Sequence, residues 1–356
     1  MSTGKLDIER LSKIGLAIMT AAVTEFEGRF ELSSAFKASG LIDTHQHILP
    51  PTYAAWLDRL GVTDGGKPIP KWSLVAALDQ MEKNGVAAAI LSVSTPGMHL
   101  GDDKEARIQA REANLYMAEL AETHSPSFGF LAALTLPDID GAINEAVYAL
   151  DVLKADGVLL LASAGGRYLG DPAWDPLMTE LDRRNATILV HPSYLPGPEA
   201  PGIPGYAADF LLDTTRAAIN IAKSGCLERF GNLKIILSHA GGFVPYAAER
   251  LAHISSPDGT SVGGIARLKR FFFDTALSSS PYALPSLLSF AEPSHITYGS
   301  DWPFATTDRS TFFRRQLDDF PLTLPQRRSI SRGNAELLFP RFRVRTPQNA
   351  SLFDRI

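Results

Sequence analysis

From residue 41 onward, short apolar runs alternate with longer stretches whose apolar positions recur at helical spacing. The short runs fall at 41–44, 86–93, 128–134, 157–161, 187–190, 234–238, 271–274 and 296–298. Each is rich in branched or aromatic residues and lacks strong polar alternation, as expected of strands buried on both faces of a parallel sheet. The stretches between them, at 73–84, 104–123, 139–155 and 173–185, carry apolar residues on one helical face, for example Leu74, Leu78 and Met81. Gly85 and Gly225 stand where a helix C-cap glycine is expected. Eight strands alternating with helices predict an α/β fold, a TIM (β/α)8 barrel over residues 41–340. A doubly wound open sheet is the alternative, but it usually places a glycine-rich phosphate loop after its first strand. Here the first strand runs into histidines.

Three segments stand outside the alternation. Residues 1–40 are expected to form an N-terminal, helical extension. Its apolar stretch at 14–23 follows Lys5, Arg10 and Lys13, but acidic residues lie among those cations, and ten apolar residues are too few to span a bilayer. Residues 192–208 are rich in proline and glycine and are expected to form a long loop after the fifth strand, of the kind that becomes a lid or binding loop. Residues 341–356 are left as a C-terminal tail.

In a TIM barrel the active site is built at the C-terminal ends of the strands. Strand one ends in His45-Gln46-His47, and a spacing of two puts both imidazoles on one side of an extended backbone. Strand five ends in His191, strand six in His239, and strand eight runs into Gly299-Ser300-Asp301-Trp302-Pro303. Three neutral imidazoles and a carboxylate suit a first-row divalent ion with an open coordination position. Taken singly, an HxH or a lone loop aspartate is more often incidental; together, at separate strand ends and in order, they point to a metal centre. His99, His124, His253 and His295 lie off these ends and are read as structural, His99 least firmly because it follows strand two. Tyr53, Trp56, Trp72, Tyr194 and Trp302 fall in or beside loops that follow strands, where they suit a flat substrate or pack the loops on the barrel.

Composition narrows the setting. Of 356 residues, 45% are hydrophobic and 21% charged, which is ordinary for a globular chain. A net charge of −5 argues against a nucleic-acid surface, and the single cysteine, Cys226, excludes an internal disulfide. A reducing, cytoplasmic setting is the expectation, with no membrane partner.

The motifs IDTHQH, LVHP, LSHAGGFVPYAAERL and YGSDWP, in this order, resemble the branch of the amidohydrolase superfamily typified by aminocarboxymuconate semialdehyde decarboxylase. FFDTALSSSP, HILPPTY and the tryptophans Trp56 and Trp72 make the chain most similar, within that branch, to the 6-methylsalicylate decarboxylases. The resemblance implies that His45, His47, His191 and Asp301 bind the metal while His239 stays off it and handles a proton. It implies that Arg250, eleven residues after His239, reaches a substrate carboxylate in the neighbouring subunit of a homodimer. Strand four, GVLLLASAGG, has no lysine of the kind that bridges two ions in binuclear relatives, so one ion is expected, zinc or manganese.

The expected reaction is metal-dependent, non-oxidative decarboxylation of a small aromatic or enol carboxylic acid. A carboxylate beside a phenol or enol oxygen can chelate the ion, which stabilises the charge left when CO2 departs. His239 or Asp301 then delivers a proton to carbon. No organic cofactor is required. The alternative is a hydrolase or hydratase that uses metal-activated hydroxide on a lactone or an unsaturated dicarboxylic acid.

Overall fold

The structure, a computed structural model, describes residues 40–63, 67–195 and 201–343. Residues 1–39 of the expected extension and 344–356 of the expected tail lie outside the described residues. Eight parallel strands form one sheet in sequence order: β1 (Leu41–His47), β2 (Val86–Ser92), β3 (Phe128–Ala133), β4 (Gly157–Leu161), β5 (Thr187–His191), β6 (Lys234–Leu237), β7 (Phe272–Asp274) and β8 (Ile296–Thr297). The sheet curls into a barrel whose first and last strands meet. Thr44 N–H donates to Tyr298 O at 2.9 Å, and the hydroxyls of Thr44 and Thr297 lie 2.8 Å apart.

The helices used below are α1 (Pro51–Leu60), α2 (Leu74–Lys83), α3 (Asp103–Thr123), α4 (Ile139–Asp151), α5 (Asp175–Arg183), α6 (Gly205–Lys223), α7 (Cys226–Arg229), α8 (Val244–Ala252), α9 (Ser261–Leu268) and α10 (Leu284–Phe290). Their starts follow local chemistry: Ser73, Asp102 and Asp138 cap α2, α3 and α4 by accepting backbone N–H bonds in the first turn. On α3, Ala106, Ala110, Ala113, Met117 and Leu120 form the face buried on the sheet.

Two cores result. One lies between the strands and the helices. The other fills the barrel interior with Ile42, Ile90, Leu131, Leu159, Leu189 and Ile236, and is plugged by Leu338, Phe339 and Phe342 from the C-terminal segment. Thr187, at the start of β5, donates to Leu338 O, which places this plug at the N-terminal end of the barrel, opposite the candidate site. Among the described residues no helix is long and apolar enough to cross a membrane.

Several expectations need correction. β1 continues past residue 44 to His47, because its backbone keeps pairing with β2 across a register shift between Asp43 and Gln46. The stretch that follows is helical rather than looped: Pro51 occupies the first turn of α1, where its missing N–H costs nothing, and Tyr53, Trp56 and Leu57 form the buried face. The loop expected over 192–208 is shorter, since α6 begins at Gly205. After β4 the chain adds a small antiparallel hairpin, Ser163–Ala164 with Arg167–Tyr168.

Candidate active site

His45, His47, His191 and Asp301 converge at the C-terminal rim of the barrel, all buried, with their possible ligand atoms within 4.8 Å of one another. His45 Nε2 and His47 Nε2 are 2.9 Å apart, and Asp301 Oδ1 lies 3.3 Å from the first and 3.1 Å from the second. The imidazoles meet edge to face, with ring centroids 4.7 Å apart for His45–His47 and 4.8 Å for His47–His191.

The donor set fits a divalent cation because each imidazole is oriented through its other nitrogen. His45 Nδ1 donates to Asp274 Oδ2 at 2.7 Å. His47 Nδ1 has the Ser92 hydroxyl at 3.1 Å and the Ser92 carbonyl at 3.3 Å. His191 Nδ1 donates to Pro192 O at 2.9 Å. In this tautomer the three Nε2 atoms carry lone pairs, and those of His45 and His47 lie beside Asp301 Oδ1. Zinc and manganese(II) both accept three imidazoles and a carboxylate.

The electrostatics agree with that use. Burial lowers the pKa of His47, and burial with the neighbouring imidazoles holds His191 well below its ordinary value, so both are neutral. Burial also disfavours the His45 imidazolium, but Asp274 and Asp301 outweigh it and push that pKa up to about 10. Negative charge that favours one proton on His45 favours a divalent cation more strongly, and ligation requires the proton to leave. Asp301 is buried, which alone would raise its pKa, yet contacts with His239, His45 and His47 hold it well below the usual carboxylate range. Behind the cluster, burial pushes Asp43 up to about 7; its Oδ1 accepts from His45 N and Ser300 N.

Backbone placement is unusual at the two candidates for proton handling. Asp301 has φ of 60° and His239 has φ of 53°, the left-handed region that non-glycine residues rarely adopt. Asp301 is held there by its N–H to His45 O at 2.8 Å. His239 is held by its N–H to Asp274 Oδ1 at 2.9 Å. Glycines make both turns possible. A Cβ on Gly299 would lie 2.8 Å from the His45 Cβ, and one on Gly242 would strike Leu211 O of α6 at 2.1 Å.

His239 stands beside the group of four rather than within it. Its Nε2 is 3.6 Å from Asp301 Oδ2, and its Nδ1 is buried with no partner. Arg250 is exposed on α8 and forms no hydrogen bond or ion pair within the described residues. The aromatic candidates separate. Tyr194 reaches the rim, and its hydroxyl donates to Thr63 O at 2.7 Å. Trp56 is 4% exposed and packs with Tyr53 on the inner face of α1. Trp72 is half-buried, edge-on to Tyr116. Trp302, 4% exposed, points its indole N–H at Thr307. Trp56 thus lies on a helix instead of an open loop, and Trp302 lies in the turn beyond β8, both buried.

Sequence reasoning missed Asp274, which holds both His45 and the His239 backbone. It stands at the end of β7 as Asp301 stands beyond β8, so its position carried the signal. Ser92 and Ser94, at and just beyond the end of β2, were also missed; Ser94 Oγ lies 3.5 Å from His191 Nε2.

Comparison with known proteins agrees with this geometry. A family model described as amidohydrolase matches residues 42–341. The chain is 36% identical over 313 residues to the 6-methylsalicylic acid decarboxylase of Penicillium expansum, covering 85% of this chain and 97% of that protein. A solved structure described as an amidohydrolase II superposes with a TM-score of 0.80 at 32% identity, covering 84% and 99% of the two chains. The solved dihydroxybenzoic acid decarboxylase of Polaromonas, with bound manganese and the inhibitor 2-nitroresorcinol, superposes with a TM-score of 0.69 at 22% identity, covering 86% and 98%.

Proposed function

The chain belongs to the amidohydrolase family, and we propose on that footing that it is a metal-dependent, non-oxidative decarboxylase of a small hydroxybenzoate-type acid, with 6-methylsalicylate the first compound to test. The observation that carries the reading is the donor set itself: three imidazoles locked through Nδ1 around one ionised aspartate, with a fourth imidazole left beside them. The 36% identity to a 6-methylsalicylic acid decarboxylase over most of both chains supports the same substrate class.

A divalent ion, zinc or manganese, held by His45, His47, His191 and Asp301 supplies positive charge that anchors anionic oxygens and stabilises negative charge as it develops. The rest falls to the chain. The ortho phenolate makes the ring carbon that bears the carboxylate basic; once that carbon is protonated, cleavage of the carboxylate–ring bond releases CO2 and returns its electron pair to the ring and the phenolate oxygen. One proton must reach that carbon. His239 is the proposed donor: its Nε2 lies 3.6 Å from Asp301 Oδ2, and its Nδ1 has no partner among the described residues. Asp301, held well below the usual carboxylate range, stands ionised beside it.

Arg250 is proposed to hold a substrate carboxylate across a homodimer contact, since it is exposed and forms no hydrogen bond or ion pair among the described residues. The surface near it carries large apolar side chains suited to such a contact: Tyr246 is 85% exposed, Val262 84% and Tyr282 93%. The buried, unpaired Cys226 is consistent with a reducing cytoplasm.

Incubation of metal-loaded protein with 6-methylsalicylate should yield one CO2 and one 3-methylphenol per acid consumed. Chelation should abolish the reaction, and zinc or manganese should restore it. Failure to release CO2 from any ortho-hydroxybenzoate with the ion bound refutes the assignment.

A further inference from the structure

Beside the metal cluster lies a cavity of about 580 Å³. Its walls come from the ends of β2, β3 and β4 and from the chain just after β5. Val93, Met98, Leu134, Leu136 and Leu161 supply hydrocarbon to it. Chain adjacency ties it to the cluster: Ser193 and Tyr194 on its wall follow His191 and Pro192, and Ser94, which approaches His191 Nε2, adjoins the wall residue Val93.

The chemistry of the wall is selective. Among the described residues, no lysine, arginine, aspartate or glutamate lines it. Most of its polar side chains are already engaged. His99 Nε2 donates to Asp103 at 2.8 Å, and its Nδ1 accepts from Gly101 N. The Ser193 hydroxyl donates to Asp213 Oδ2 at 3.4 Å, and the Tyr194 hydroxyl is bonded to Thr63 O. Ser163 is the remaining hydroxyl among the described wall residues. A second carboxylate placed here would lose its water and gain no cation. A hydrocarbon chain would lose nothing and leave water, which is favourable.

The size points the same way. Pockets of about 300–1,000 Å³ hold ligands of drug size, and a single-ring acid with one methyl group fills only part of 580 Å³. We infer that this cavity receives an alkyl substituent longer than methyl, so that the preferred substrates are 6-alkylsalicylates rather than benzoates bearing a second carboxylate. The inference rests on the decarboxylase reading above and names the substrate class within it.

Two series test it. The metal-loaded protein is titrated calorimetrically with the 3-alkylphenols from methyl to pentyl, which are the products of the corresponding acids. Each buried methylene should tighten binding about fourfold. In parallel, kcat/KM for the 6-alkylsalicylates should climb from methyl through the same series, while 3-hydroxyphthalate, with a carboxylate in place of the alkyl group, should be a far poorer substrate than 6-methylsalicylate. Leu136→Trp, which fills the cavity from its wall, should collapse the ratio of pentylphenol to methylphenol affinity toward unity. Affinity that is flat or falling with chain length, a ratio untouched by Leu136→Trp, or efficient turnover of 3-hydroxyphthalate would overturn the inference. If the phenols bind with the expected increments but no salicylate releases CO2, the cavity assignment stands and the decarboxylase reading fails.

Discussion

Asp274→Asn isolates the part of the site that prepares a histidine to bind metal. In the native chain Asp274 Oδ2 accepts from His45 Nδ1 at 2.7 Å, while Oδ1 accepts from the N–H groups of His239 and Ala276 at 2.9 Å each. An asparagine amide oxygen can keep the two backbone bonds. Its NH2 group then faces His45 Nδ1 and favours the tautomer that carries its proton on Nε2, pointed at the other ligands. Losing an outer carboxylate of this kind typically weakens metal affinity about 10–100-fold. Asp274→Ala should behave differently, because it also orphans two buried amides at about 1–3 kcal/mol each. A loss of roughly 2–6 kcal/mol is a large part of a typical 5–15 kcal/mol stability. Competition against a chelator of known affinity measures the metal term, and a thermal melt of the metal-free protein measures the stability term. The Asn variant should shift chiefly the first and the Ala variant both. Wild-type metal affinity in Asp274→Asn would refute the claim that this carboxylate sets the His45 tautomer.

Three further outcomes are expected. His239→Ala should keep its metal and lose kcat by about 10²–10⁴-fold; loss of metal comparable to that in His191→Ala would make it a ligand. Arg250→Ala should raise KM for the carboxylate substrate with little change in metal content, whereas wild-type kinetics, or a monomer by sedimentation, would remove the cross-subunit contact. Burial pushes the Cys226 thiol up to about 11, so at pH 8 it is protonated and closed to thiol reagents. Labelling should require denaturant, and rapid labelling of the native protein would contradict that environment.

Much of the barrel was legible because both-face burial leaves continuous apolar runs, and each of the eight expected strands has its counterpart. Ends were less legible. Polar residues 45–47 fall outside the apolar run at 41–44, yet the backbone goes on pairing through them to His47. The Pro50–Pro51 pair reads as loop until one asks whether it opens a helix, which it does, carrying Trp56 inward. The candidate ligands stood out as a set because histidines at several strand ends of one chain are a rare pattern. Asp274 did not, because a single aspartate has no period and its partner His45 is 229 residues away. The cavity wall was invisible for the same reason: it is assembled from several loops whose mutual placement only the folded chain determines.

The most direct test of the central claim is the fate of solvent atoms in the product. With 6-methylsalicylate in D2O and the metal in place, the phenol should carry one deuterium, on the carbon that lost CO2, and none elsewhere on the ring beyond the uncatalysed background. The same reaction in H2¹⁸O should leave the phenol free of ¹⁸O. Solvent ¹⁸O in the organic product with no gas released would identify water addition or hydrolysis at this metal centre and contradict decarboxylation.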